Sequence, residues 1–187
     1  MTVRDTSIPG VLVVEPRVFG DGRGFFLERY HAGRYAEAGI DARFVQDNHS
    51  RSRRGTLRGL HFQRARPQGK LVEAARGRIW DVVVDLRSGS PTFGRWEGHD
   101  LDDEACRQLW VPPGLAHGFC VLSDEADVLY KCTDVYRPDD EGGVAWDDPD
   151  LGIGWPVERP VLSDKDRGLR PLSALQPSDL PHVPFSP

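Results

Sequence analysis

Long hydrophobic runs are missing from this sequence. The longest, such as Val82–Val84 with its neighbours, have the length of a strand and fall far short of a bilayer span. A membrane role is therefore not expected. The N-terminus, Met-Thr-Val-Arg-Asp, lacks the apolar stretch of a signal peptide. Cysteine is scarce, with three residues (Cys106, Cys120 and Cys132) and no CxxC spacing. They cannot all pair within one chain, so they read as reduced, buried thiols of a cytoplasmic protein. Positive charge is also in deficit. The formal net charge is −5, which argues against a nucleic-acid binder. One local basic cluster remains at Arg51, Arg53, Arg54 and Arg58. It reads either as a solvated loop or as a patch that concentrates an anionic substrate.

What is present is turn chemistry. The 187 residues include 20 glycines and 15 prolines, with 39% hydrophobic and 28% charged residues. Short runs rich in Val, Leu, Phe, Tyr and Trp lie between the turns and predict strands. They are Val11–Glu15, Gly24–Arg29, Phe44–Asn48, Leu57–Gln63, Lys70–Ala75, Ile79–Leu86, Gln108–Val111, Gly118–Leu122 and Asp127–Tyr136. A helix is expected around Gly33–Ala38, and a short one near Leu172–Leu175. Many short strands without interleaved helices imply an all-β fold, an antiparallel sandwich or barrel of the jelly-roll type. A single domain over residues 1–187 is expected, its tail from about Asp139 packing irregularly over the barrel.

Chemistry concentrates in a few blocks. Leu57-Arg58-Gly59-Leu60-His61-Phe62-Gln63 carries a histidine, able to accept a proton near neutral pH, beside a glycine that leaves room for a ligand. Strict alternation sets Arg58 and His61 on opposite strand faces. Lys70 is either a solvated edge charge or a cation facing a developing oxyanion. In Trp80–Asp85 one face is core, and Asp81 and Asp85 on the other either enter a cavity or face water. Pro112-Pro113-Gly114-Leu115-Ala116-His117 resembles the second metal motif of cupin barrels. The first motif would need His-x-His, and only His61-Phe62-Gln63 is available, so a metal site is not expected. Tyr130 and Tyr136 share a strand face, and Leu162–Asp166 is a polar turn.

Together these blocks resemble the dTDP-4-dehydrorhamnose 3,5-epimerase family, whose members are cupin-like jelly rolls. The resemblance runs in order through Phe19–Phe26, Phe44–Ser50, Leu57–Gln63, Gln68–Val72, Ser90–Gly94, Gln108–Phe119, Leu129–Tyr136 and Leu162–Asp166. It implies that His61 is the catalytic base, Asp166 its orienting carboxylate, Tyr130 the acid on the opposite sugar face, and Lys70 the cation at the carbonyl oxygen. It implies substrate-binding roles for Arg23, Glu28, Gln46, Asn48, Arg58, His117, Glu141 and Lys165. Tyr136 would stack on the thymine, with Phe25 aiding it. For Arg58 and His61 to share the site, the strand needs a bulge or twist at Gly59.

The implied substrate is dTDP-4-keto-6-deoxy-D-glucose, inverted at C3 and C5 through an enolate to give dTDP-4-keto-L-rhamnose. No cofactor is required, because the ketone already acidifies the neighbouring hydrogens. A homodimer is implied, with Arg23 and Glu28 completing the neighbour's site. Three alternatives stay open: an epimerase acting at C3 or C5 alone, a metal-dependent cupin enzyme, and an inactive nucleotide-sugar binder.

Overall fold

The structure is a computed structural model describing residues 1–185; Ser186 and Pro187 lie outside the described residues. The strands in chain order are β1 (Thr2–Asp5), β2 (Leu12–Glu15), β3 (Val18–Asp21), β4 (Gly24–Leu27), β5 (Gln46–Arg53), β6 (Leu57–Gln63) and β7 (Lys70–Arg76). They continue with β8 (Arg78–Asp85), β9 (Trp96–Asp102), β10 (Gln108–Val111), β11 (Leu115–Val121), β12 (Glu125–Cys132) and β13 (Glu141–Gly143). Two short helices, α1 (Ala32–Glu37) and α2 (Asp164–Arg167), complete the frame with three 3-10 turns. One of those turns, Leu172–Ala174, stands where a short helix was expected.

All named strand pairs are antiparallel. A six-stranded sheet, β1-β2-β10-β7-β12-β5, faces a five-stranded sheet, β13-β6-β11-β8-β9. This is the expected jelly roll, with β3 and β4 standing apart as a hairpin. Between the sheets, Val72, Ala74, Ile79, Val83, Leu109, Phe119, Val121 and Val128 belong to a fully buried cluster. They come from alternate positions, as a two-sheet interior demands. Farther along the same rows the side chains turn polar. On β7 Lys70 follows Val72, and on β12 Tyr130 follows Val128. Apolar packing fills one end of the interior and leaves the other end as a cavity.

Both outer faces are also covered. On the five-stranded sheet, Leu60, Phe62, Val82, Val84 and Ala116 pack under Val144, Leu151, Trp155, Leu172 and Leu180. The segment after Asp139 lies over the barrel, tied to β9 by the bond from Trp96 Nε1 to the Leu151 carbonyl and braced internally by the bond from Trp155 Nε1 to the Trp146 carbonyl. On the six-stranded sheet, Tyr35 and Ile40 cover Leu12, Leu71 and Trp110. Helix α1 begins at His31, whose ring accepts from the Arg34 amide.

Some boundaries differ from expectation. β1, β3, β9 and β13 carry no strand signal of their own. β9 contains Glu97, Gly98 and Asp100, and it exists because β8 offers it a ladder from Arg78 to Val84. β12 ends at Cys132 rather than Tyr136. The following loop is captured by side chains: Gln46 Oε1 accepts from the Tyr136 amide, Gln63 Oε1 from the Arg137 amide, and Gln68 Nε2 donates to the Asp134 carbonyl.

The irregularity required at Gly59 is present. His61 pairs with His117 but Arg58 with Phe119, so two residues of β6, Gly59 and Leu60, oppose the single Gly118 of β11. Gly59 has φ +127°, and a Cβ there would lie 2.5 Å from the Gly118 Cα. Gly59→Ala is therefore expected to lower the unfolding free energy by about 2–4 kcal/mol. Urea denaturation followed by tryptophan fluorescence checks this. A loss below about 0.5 kcal/mol, the range of an ordinary surface substitution, would mean the backbone approach is not required.

Candidate active site

The polar end of the interior opens as a cavity of about 500 Å³, within the range that holds a small-molecule ligand. Arg58 and His61 on β6 and His117 on β11 line it from the five-stranded sheet. Gln46 and Asn48 on β5, Lys70 on β7 and Tyr130 on β12 line it from the six-stranded sheet. Tyr136, Glu141, Ser163, Lys165 and Asp166 contribute from β13, α2 and the loops. Eleven of the thirteen positions singled out in the sequence thus meet around one space. Arg58 reaches it because the bulge turns β6, and its Nε donates to Ser52 Oγ at 3.1 Å.

His61 Nε2 lies 2.5 Å from Asp166 Oδ1. Asp166 is buried in α2, where Ser163 caps the helix. Burial pushes the Asp166 carboxyl up, but the His61 and Ser163 hydrogen bonds outweigh it, so its pKa is lowered and the ionised form is favoured. With Nε2 donating to that carboxylate, Nδ1 is the nitrogen left to accept a proton.

Lys70 sits across the cavity. Of the three lysines, Lys131 pairs with Asp47 and Lys165 with Glu141; Lys70 has no ion pair among the described residues. Burial lowers its pKa, against the opposing pull of Cys132, Asp81 and Glu141. Tyr130 lies beside it on the neighbouring strand. Burial raises the pKa of that phenol, which keeps its proton in place as a donor.

The two undecided acids of β8 are both fully buried. Asp81 lies behind the cavity wall, its carboxylate 2.9 Å from His117 Nε2. Asp85 is outside the cavity lining, bonded to Arg87, Ser90 and Thr92. At the cavity mouth the Tyr136 hydroxyl donates to Glu141 Oε2 at 3.0 Å, and Lys165 Nζ reaches the same carboxylate at 2.9 and 3.0 Å. Gln46 Nε2 donates to Asn48 Oδ1, and Asn48 Nδ2 reaches Cys132 Sγ at 3.5 Å.

Arg23 and Glu28 are not brought to this cavity within the chain. Arg23 turns back on Asp21 at the hairpin tip, and Glu28 pairs with Arg34. Phe25, 65% exposed, stays with them on the hairpin. Arg51 and Arg54 pair with Asp127 and Asp124, away from the cavity lining. Sequence reasoning passed over Gln63, Gln68 and Ser163. The glutamines, one at the end of β6 and one in the loop before β7, gave no signal beyond polarity. Ser163 did, as a serine three residues before an acid at a helix start. Among the described residues no three His, Cys, Asp or Glu side chains converge as metal ligands, and no helix is long and apolar enough to cross a membrane.

Comparison with known proteins adds four findings. The family model described as dTDP-4-dehydrorhamnose 3,5-epimerase matches residues 5–174. A protein of that name from Pseudomonas aeruginosa is 56% identical over 163 residues, 86% of this chain and 90% of the relative. A dTDP-4-dehydrorhamnose 3-epimerase from Streptomyces niveus is 47% identical over 169 residues, 89% and 82% of the two chains. Among solved structures, the dTDP-6-deoxy-D-glucose-3,5-epimerase of Legionella pneumophila, in complex with dTDP-4-keto-L-rhamnose, superposes with a TM-score of 0.95. It is 48% identical, covering 100% of this chain and 99% of that one.

The buried ammonium of Lys70 has a measurable consequence for stability. Lys70→Met is expected to raise the unfolding free energy by about 1–3 kcal/mol near neutral pH, because it removes a desolvated charge. The folded-state pKa is depressed, so the unfolded chain binds more protons between that value and the ordinary 10.5. Wild-type stability therefore rises with pH across that window, and the variant's advantage shrinks. Urea titrations at about pH 7 and about pH 10 test both points; a variant less stable at the lower pH would contradict them.

Proposed function

The chain belongs to the dTDP-4-dehydrorhamnose 3,5-epimerase family, and from that premise we propose how its cavity performs the reaction. The enzyme converts dTDP-4-keto-6-deoxy-D-glucose to dTDP-4-keto-L-rhamnose. The 4-ketone acidifies the hydrogens on C3 and C5. Removal of either proton leaves an enolate, and return of a proton to the opposite face inverts the carbon.

His61 and Tyr130 lie on opposite sheets and face one cavity. This observation carries the assignment, because inversion needs a base on one face of the sugar and an acid on the other. His61 Nδ1 takes the proton, and Asp166 stabilises the imidazolium that forms. Tyr130 delivers a proton from the other side, its phenol kept neutral by burial. Lys70 faces the ketone oxygen, and the negative charge that develops there compensates the ammonium for its lost solvation. No hydride moves, so the step balances without a redox cofactor.

Arg58 is placed to contact the diphosphate, a task suited to a guanidinium. Tyr136 stacks on the base at the cavity mouth, with Glu141 and Lys165 beside it. Gln46, Asn48 and His117 contact the nucleotide sugar from the walls. Arg23 and Glu28 act across a homodimer, each completing the partner's site. Their hairpin supports this, since Phe19, Phe25 and Phe26 on it are 50%, 65% and 69% exposed, an apolar surface that calls for cover. Buried free thiols at Cys106, Cys120 and Cys132 suit a cytoplasmic setting.

Proton NMR of the substrate in D₂O is expected to show deuterium entering at both C3 and C5. Entry at one carbon only would place the chain with the single-site epimerases, and entry at neither would reject the reaction. His61→Ala is expected to lose exchange at both carbons while nucleotide affinity stays within about threefold. Tyr130→Phe is expected to keep exchange and lose inverted product. Light scattering is expected to give the mass of a dimer; a monomer at working concentration would remove the role given to Arg23 and Glu28.

A further inference from the structure

We propose that Ser163 is a positioning residue for the reaction, holding the second oxygen of Asp166 so that the first meets the His61 ring. This rests on the reading of His61 and Asp166 as base and orienter. The Ser163 hydroxyl accepts from the Asp166 amide at 3.1 Å. Its own proton goes to Asp166 Oδ2 at 2.8 Å, while Oδ1 serves His61. Each carboxylate oxygen thus has one partner, and the plane of the carboxylate is fixed.

The need for such a hold comes from α2. Its four residues cannot sustain a helix by internal hydrogen bonds, so the direction of Asp166 is set by what surrounds the turn. Two ties lead back to β6, the strand that carries His61. Upstream, the Val161 amide donates to the Gly55 carbonyl and the Leu57 amide to the Val161 carbonyl. On the other side, Lys165 bonds Glu141, and Glu141 pairs with Gln63. These ties bring the backbone of residues 161–166 to β6, and Ser163 makes the last link, from that backbone to the carboxylate. Burial pushes the Asp166 pKa up, and the His61 bond and then the Ser163 bond bring it below the ordinary value, which fits this placement.

Ser163 also caps α2, and a cap alone could explain its presence. The two roles separate by substitution. Glycine is nearly as good a cap as serine, whereas alanine is a poor one; neither supplies the hydroxyl. The charged or titratable groups facing the pair are Lys165 on α2, Glu141 on β13, Arg58 on β6, His117 on β11, Lys70 on β7 and Tyr130 on β12. Each of them is present in every Ser163 variant.

The experiment measures kcat, KM, the pH profile of kcat/KM and thermal midpoints for Ser163→Gly, Ser163→Ala, Ser163→Thr and Asp166→Asn. Ser163→Gly and Ser163→Ala are expected to lower kcat alike, by about tenfold, with KM within about twofold. Their acid limb moves to higher pH, because a carboxylate with one donor fewer holds the imidazolium proton more tightly. Ser163→Thr restores both. If Ser163→Gly keeps wild-type kcat and pH profile while Ser163→Ala is merely less stable, the residue is a cap and the proposal is overturned. If Asp166→Asn itself keeps turnover, the underlying reading of the pair fails, a result distinct from the first.

Discussion

Two backbones that nearly touch set the geometry on which the cavity depends. At Gly59 and Gly118 there is no room for a Cβ, and β6 takes an extra residue against β11. Without that irregularity the pleat would send Arg58 and His61 to opposite faces of the sheet. With it, both enter one space, and His117 lies directly across the ladder from His61. Any side chain at position 59 would push the two strands apart, so the site's first requirement is met by an absent atom.

The rest of the interior divides along its strands. The same alternate positions that supply valine and alanine at one end supply lysine and tyrosine at the other. Such a division leaves charged and polar groups desolvated, and the molecule manages each differently. Asp81 is hydrogen-bonded to His117, Asp85 to Arg87 and two hydroxyls, and Asp166 to His61 and Ser163. Lys70 alone of these groups has no ion pair or hydrogen-bonding side chain among the described residues, and burial lowers its pKa. The opposing demand on stability is carried by core packing on both outer faces as well as between the sheets.

The residues lining the cavity also differ in how they are held. His61, Lys70 and Tyr130 sit on strands, where neighbouring ladders fix their backbones on both sides. Asp166 sits on one turn of helix and is steadied by ties that return to β6. Tyr136 and Lys165 lie at the rim, joined through Glu141, where binding a nucleotide requires access more than rigidity. Arg23 lies at the tip of a hairpin apart from the barrel and Glu28 just past its end, and each pairs with a local partner, Asp21 and Arg34.

The sequence alone determined what depends on local chemistry. Period-two runs bounded by glycine and proline marked β6 and β10 at their true limits and placed most of the other strands in the two main sheets. The ordered blocks carried the family resemblance that pointed to His61, Asp166, Tyr130 and Lys70, which the cavity brings together, and strand alternation exposed the conflict at Gly59 that a bulge had to resolve. Only the tertiary structure decided what depends on neighbours far along the chain. β9 and β13 are strands because partners accept them, β12 stops at Cys132 because glutamine side chains seize the next loop, and Asp81 belongs to the interior because His117 meets it there. Asp166 meets His61 only when α2 folds against β6. Hydrogen bonds and burial between distant segments carry no periodicity of their own, so no single stretch of sequence could have announced them.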